Sequence, residues 1–226
     1  STTAAARKLL ARMQAKALVP DHVSYCALLD VYAEANDVEG ALAIFFDEMC
    51  QVGKEREGEG RKGGRLPTDV AFGTLMKAFA RAGEWRKVLM CVDGMHELDI
   101  TDEREVCYAL AAYACGKAGR WKEVVGLVEA LEGREGGVRS LKTYTFAMHA
   151  CGKAGKYGEA RRFLDEIEGR EDLKEEMDAY AYNLAMHVCA RSGDQAGVLR
   201  WWCMMKESKR GRGLDNFNVS ALMTAF

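Results

Sequence analysis

Proline is almost missing from this chain: two residues in 226, Pro20 and Pro67. Long helices are therefore free to form, and both prolines stand just before an apolar, helix-spaced stretch, where a helix breaker belongs. Strand-like alternation between turn signals is lacking too, which excludes a sandwich or barrel. No run of about 18 apolar residues occurs, so no membrane span is expected. The formal net charge is −2. That removes the composition argument for a nucleic-acid partner, although basic groups gathered on one face would leave the sum unchanged. None of the eight cysteines has Cys-x-x-Cys spacing. A chain of this length needs no disulfide scaffold, and reduced thiols on apolar faces are expected. Carboxylate clusters, a Ser-His-Asp order and phosphate-cradling glycine loops are absent, so neither catalysis nor a cofactor is expected. His149 with Cys151 and His187 with Cys189 repeat a His-x-Cys spacing. Residues two apart on a helix point to nearly opposite sides, so no metal is expected there either.

What the chain does have is a repeat. Val106 to Leu131 reads as two amphipathic helices joined by a turn at Ala118-Gly119-Arg120. About 36 residues downstream the pattern returns, from Lys142 through Cys151-Gly152-Lys153-Ala154-Gly155-Lys156-Tyr157. About 36 residues upstream, Val70-Ala71-Phe72 leads to Arg81-Ala82-Gly83-Glu84-Trp85. Such a period marks stacked helical hairpins, each burying its apolar stripe on the next. Trp85, Val88, Leu89, Val92 and Met95 form one stripe; Trp121, Val124, Val125, Val128 and Leu131 form its equivalent. The pattern predicts an all-α array over 1–226. It opens with a partial repeat at 1–20, in which Leu9, Leu10, Met13 and Ala17 share a face. Repeats follow at about 21–50, 68–103, 104–139, 140–177 and 178–214, then a partial repeat at 215–226. Residues 51–66, charged and glycine-rich, are expected to be a mobile insertion. The chain begins at Ser1 inside a helical pattern and is expected to be a piece of a longer protein. Of two adjacent tryptophans near the end, Trp202 is expected in the core, with Trp201 on a neighbouring helix or a partner surface.

Each first helix opens on an aromatic: Tyr25, Phe72, Tyr108, Tyr144 and Tyr182. Lys or Arg, then Ala or Ser, then Gly follows about ten residues later, with acidic-apolar endings such as Phe46-Asp47-Glu48-Met49. The tetratricopeptide pattern is absent. This arrangement resembles the pentatricopeptide repeat family, over essentially the whole chain. The resemblance implies a right-handed α-solenoid of stacked hairpins that binds single-stranded RNA in a mitochondrion or chloroplast, one base per repeat. It implies that the residue after the opening aromatic reads a base edge together with the last loop residue before the next repeat. The residue two before the aromatic sandwiches the base.

Carried onto this chain, Asn183 and Asp215 match the pair used for uracil, with Tyr180 and Phe217 as the sandwich. Thr145 and Asp178 resemble the pair for guanine, with Lys142 in place of the usual apolar sandwich residue. Cys26 with Thr68, Gly73 with Arg104, and Ala109 with Ser140 depart from the pattern, because Cys, Gly and Ala cannot make directed edge contacts. Asp178 and Asp215 also suit helix caps. Lys206, Lys209, Arg210 and Arg212 read as a solvated loop near Asp215 that is also placed for a phosphate contact. The alternative is a non-catalytic scaffold subunit gripping protein or folded RNA in an organellar assembly such as a ribosome.

Overall fold

The structure is a computed structural model and describes residues 2–18, 20–50, 67–100, 105–133 and 140–208. The expected insertion at 51–66, the partial repeat at 215–226, and Arg104, Lys209, Arg210 and Arg212 lie outside the described residues. Every element among the described residues is helical. Two compact units make up the chain, residues 1–114 and 115–226.

The first unit holds α1 (Thr2–Ala15), α2 (His22–Glu34), α3 (Val38–Ala43), α4 (Asp69–Ala82), α5 (Trp85–Glu97) and the start of α6 (Val106–Lys117). The second holds the end of α6, then α7 (Trp121–Glu132), α8 (Leu141–Lys153), α9 (Tyr157–Glu168), α10 (Glu171–Glu176), α11 (Ala179–Arg191) and α12 (Gln195–Glu207).

First helices start where a short polar side chain satisfies an orphan backbone N–H. Asp21 accepts from Ser24 N at 2.9 Å, Thr68 from Ala71 N at 3.3 Å, and Ser140 from Lys142 N at 3.3 Å. Asp178 accepts from Ala181 N at 2.9 Å. The turn between the helices of a hairpin needs one left-handed residue, and the repeated glycine supplies it. At Gly119, φ is +71°, and the Gly119 and Arg120 amides donate back to Gly116 O and Cys115 O. This closes the helix in the usual left-handed cap. Asn36 takes the same role in α2's turn at φ 54°, as Asn tolerates this region better than most side chains.

Within each unit the aromatic that opens the first helix is buried against the second helices. In the first unit Phe72 meets Phe45 edge-on, ring centroids 4.8 Å apart. In the second, Tyr144 packs on Phe163 at 6.1 Å and Tyr182 on Trp201 at 6.2 Å. Equivalent residues thus repeat equivalent contacts, as stacked hairpins require. Neighbouring second helices are tied by half-exposed ion pairs, Arg162 to Glu129 at 3.2 Å and Arg200 to Glu168 at 3.1 Å. Exposed pairs of this kind contribute little each, about 0–1 kcal/mol. Cations of one turn also cover the aromatic one hairpin earlier: Lys156 over Trp121 and Arg191 over Tyr157, at 5.5 and 5.4 Å.

Four features differ from the sequence expectation. Beyond α3 the chain widens into a π-helical segment, Ile44–Met49, in which the Cys50 amide reaches back to Phe45 O. The wider turn brings Ile44, Phe45 and Met49 into the core together. Leu9 is exposed while its neighbour Leu10 is buried, so the face of α1 lies one residue further round. Trp201 is fully buried and Trp202 only half so, the reverse of the expected order. Tyr182 decides the register, because its ring lies on the Trp201 side of α12. Finally, α10 is an additional short helix, anchored by buried Leu173 and Met177.

Candidate nucleic-acid interface

The N-caps fix which side chain of each first helix faces outward. The residue two before the opening aromatic and the residue one after it are three apart. On an α-helix that places them on one face, one above the other. The five such pairs are Val23 with Cys26, Val70 with Gly73, Val106 with Ala109, Lys142 with Thr145, and Tyr180 with Asn183.

Their exposure is split in the same way each time. In the first unit Val23 is 58% exposed, Val70 46% and Val106 41%. In the second unit Lys142 is exposed and Tyr180 is 50% exposed. Three valines at one repeat position standing in water is not what core packing produces, and large apolar side chains so placed suit a surface that something covers. The residue after the aromatic is nearly closed over at every hairpin: Cys26, Gly73, Ala109, Thr145 and Asn183 are all buried. Any reading by Thr145 or Asn183 is therefore through one edge of the side chain, at the floor of the face.

In the second unit these positions build a cleft of about 480 Å³ between α8 and the start of α11. Lys142 and Thr145 line one side, Asp178 and Tyr180 the other, with Leu141, Phe146 and Glu176 completing it. Four of the seven residues singled out in the sequence thus meet in one place. Asn183 lies one turn beyond Tyr180 and is buried, with an Oδ1 that has no hydrogen-bond partner. Asp215 and Phe217, its expected companions, lie outside the described residues.

The polar groups of the cleft are mostly acceptors. Thr145 Oγ1 donates its proton to Lys142 O at 2.9 Å, so what it offers outward is lone pairs. Asp178 does cap α11: one carboxylate oxygen accepts from Ala181 N. The other oxygen remains for a ligand. Burial, and next the Asp178 charge, push the Tyr180 phenol above its ordinary range, so it stays neutral. Lys142 is the cation of the site, and no ion pair joins it to Asp178 or Glu176 among the described residues.

Sequence reasoning missed Glu176, because α10, which carries it, was not anticipated. The signal was there: an acidic first turn at Glu171-Asp172, and Leu173 and Met177 at i, i+4.

Among the described residues no three His, Cys, Asp or Glu side chains are grouped to hold a metal ion. Burial pushes the thiols of Cys115, Cys151 and Cys189 up to about 11, which keeps them protonated. No helix among the described residues is long and apolar enough to cross a membrane.

The fold defines a helical-repeat protein. The family profile for PPR repeats matches residues 23–53, 70–100 and 142–171. Three of the hairpins are pentatricopeptide repeats, and the chain takes the fold of that family. No curated protein matches the chain. Among solved structures it is similar to the pentatricopeptide repeat protein PPR10 in complex with an 18-nt psaJ RNA element, at 17% identity and a TM-score of 0.68. That match covers 99% of this chain and 30% of PPR10. It is also similar to nuclear proteinaceous RNase P 2 (PRORP2) from A. thaliana, at 12% identity and a TM-score of 0.64, over 91% of this chain and 42% of that one. At these identities the likeness is one of fold, and the chain spans less than half the length of either relative.

Proposed function

We propose that this chain holds single-stranded RNA on the first-helix faces of its two units, at Val23, Val70 and Val106 in the first and at Lys142 and Tyr180 in the second. In this reading it has no catalysis of its own and serves RNA processing, stability or translation in a mitochondrion or chloroplast. The observation that carries the reading is the cleft in which Lys142, Thr145, Asp178 and Tyr180 meet. The fold shared with PPR10, whose structure is an RNA complex, supports it.

Unstacked bases offer flat faces and free edges. Tyr180 supplies an exposed ring for one face, and the aliphatic stem of Lys142 closes the other while its ammonium reaches a neighbouring phosphate. The edge then meets Thr145 and the free oxygen of Asp178, both acceptors. A base rich in edge donors fits, and guanine, with its N1–H and N2 amino group side by side, is the richest. A second base lies beyond Tyr180. There the unpartnered Asn183 Oδ1, a buried acceptor that costs about 1–3 kcal/mol while unpaired, accepts from the N3–H of uracil.

The test is to incubate the chain with a randomised single-stranded RNA pool and sequence the bound fraction. Guanine is expected to be enriched at one position. Asp178→Asn keeps the helix cap but turns the free oxygen's position into a mixed donor and acceptor, and is expected to cut that enrichment roughly fivefold or more, the low end of a lost bidentate edge contact. Unchanged enrichment rejects the edge assignment. An absence of RNA binding rejects the reading and favours a protein-gripping scaffold, which the net charge of −2 would suit.

A further inference from the structure

The acids of α10 are not alike. Glu171 pairs with Lys174 at 2.6 Å, and Asp172 pairs with Arg170. Glu176 is held differently. Leu173 and Met177 are buried on either side of it, and they pin the end of α10 so that Glu176 lines the cleft beside Asp178. Neither it nor Glu175 has a cation within ion-pair distance among the described residues, and of the two only Glu176 lines the cleft. A carboxylate without a partner, at the rim of a site read as taking a polyanion, works against binding by itself. Its presence there has to be judged by what it selects.

We infer that Glu176 is a specificity-determining residue of this cleft. Its carboxylate, lining the same cleft as that of Asp178, demands a base edge with two adjacent donors and disfavours every other edge. The inference rests on the RNA-binding reading above. Guanine presents N1–H beside the N2 amino group. Adenine and cytosine each set one amino group beside a bare ring nitrogen, and uracil flanks its single N–H with two carbonyls. A bare acceptor facing a carboxylate is repelled, with no proton to share. Glu176 therefore lowers affinity for RNA in general, through repulsion of the backbone, and raises the contrast between guanine and the rest. Specificity obtained by penalising wrong partners has this signature of weaker but more selective binding.

The experiment compares the chain with Glu176→Gln, Glu176→Asp and Glu175→Gln. Two quantities are read: guanine enrichment from the randomised single-stranded RNA pool, and affinity for oligouridylate. Glu175 is exposed and does not line the cleft, so its variant makes the same charge change in the wrong place. Glu176→Gln is expected to lower guanine enrichment about threefold to tenfold, within the range of one edge contact, while tightening oligouridylate binding about twofold by removing one repulsive charge. Glu176→Asp keeps the enrichment, and Glu175→Gln leaves it unchanged. If Glu176→Gln keeps full guanine enrichment, or Glu175→Gln mimics it, the inference is overturned and the RNA-binding reading survives. If the unaltered chain binds no RNA, both fall.

Discussion

Replacing Trp201 with alanine is expected to lower the stability of the second unit by about 3–5 kcal/mol, the cost of emptying a large aromatic site in a packed core. Trp201 is completely buried and lies against Tyr182. In a stacked-hairpin protein each hairpin leans on its neighbours, so the loss also weakens the packing of α11 on α8 and α9. The adjacent Trp202→Ala is expected to cost less, about 1–2 kcal/mol, since that ring is partly exposed with Lys206 lying over it at 5.1 Å. Trp201→Phe separates packing from polarity. The indole Nε1 is buried with no hydrogen-bond partner, and deleting an unpaired donor returns part of what the smaller ring loses. Its cost is expected to fall well below that of alanine. Urea unfolding followed by far-UV circular dichroism reads all three variants without depending on tryptophan fluorescence. If Trp202→Ala proves the more damaging, the register of α12 assigned here is wrong.

The two tryptophans also show where sequence reading stops. Val198, Trp201 and Met205 share a face at i, i+3 and i+7, but Trp202 fits almost as well, four after Val198 and three before Met205. Periodicity cannot separate adjacent large residues; the partner ring of Tyr182 does. Leu9 and Leu10 pose the same problem in α1. The hairpin turns were legible, because Gly83, Gly119, Gly155 and Gly193 recur at positions that need a positive φ. So were the opening aromatics, whose burial follows from their place in the stripe. The segment Ile44–Met49 was not legible, since a π-helical turn keeps the composition of an α-helix and changes only which residues meet. Nor was α10. Six residues are too few to form a helix on local preference, and this one exists because Leu173 and Met177 are held by the rest of the unit. Missing α10 meant missing Glu176. For the cleft, the family pattern supplied Lys142, Thr145, Asp178 and Tyr180, but not the fact that the Thr145 hydroxyl already donates its hydrogen bond to Lys142 O.

Tyr180→Ala is expected to weaken RNA binding by about 1–3 kcal/mol, roughly five- to 150-fold, the value of one base stacked on an aromatic ring. The ring is half-exposed at the mouth of the cleft, and its phenol is neutral, so what it offers a base is a face rather than a charge. The loss should be the same at every salt concentration, and Tyr180→Phe should retain most of the affinity. Lys142 supplies the contrast, because it occupies the position held by Val23, Val70 and Val106 elsewhere. Lys142→Val replaces an ammonium with an apolar surface, and a cation that meets a phosphate releases a counterion when RNA binds. The slope of log affinity against log salt is then expected to flatten by about 0.7, the contribution of one phosphate contact on a single strand. Affinity at high salt should change little, as valine keeps one face of the sandwich closed. Titrating short single-stranded RNA against the chain, Tyr180→Ala and Lys142→Val across a salt series distinguishes the two roles. Should Tyr180→Ala bind as the unaltered chain does, the base is not stacked there. Should Lys142→Val keep the full slope, its ammonium lies over the base and meets no phosphate.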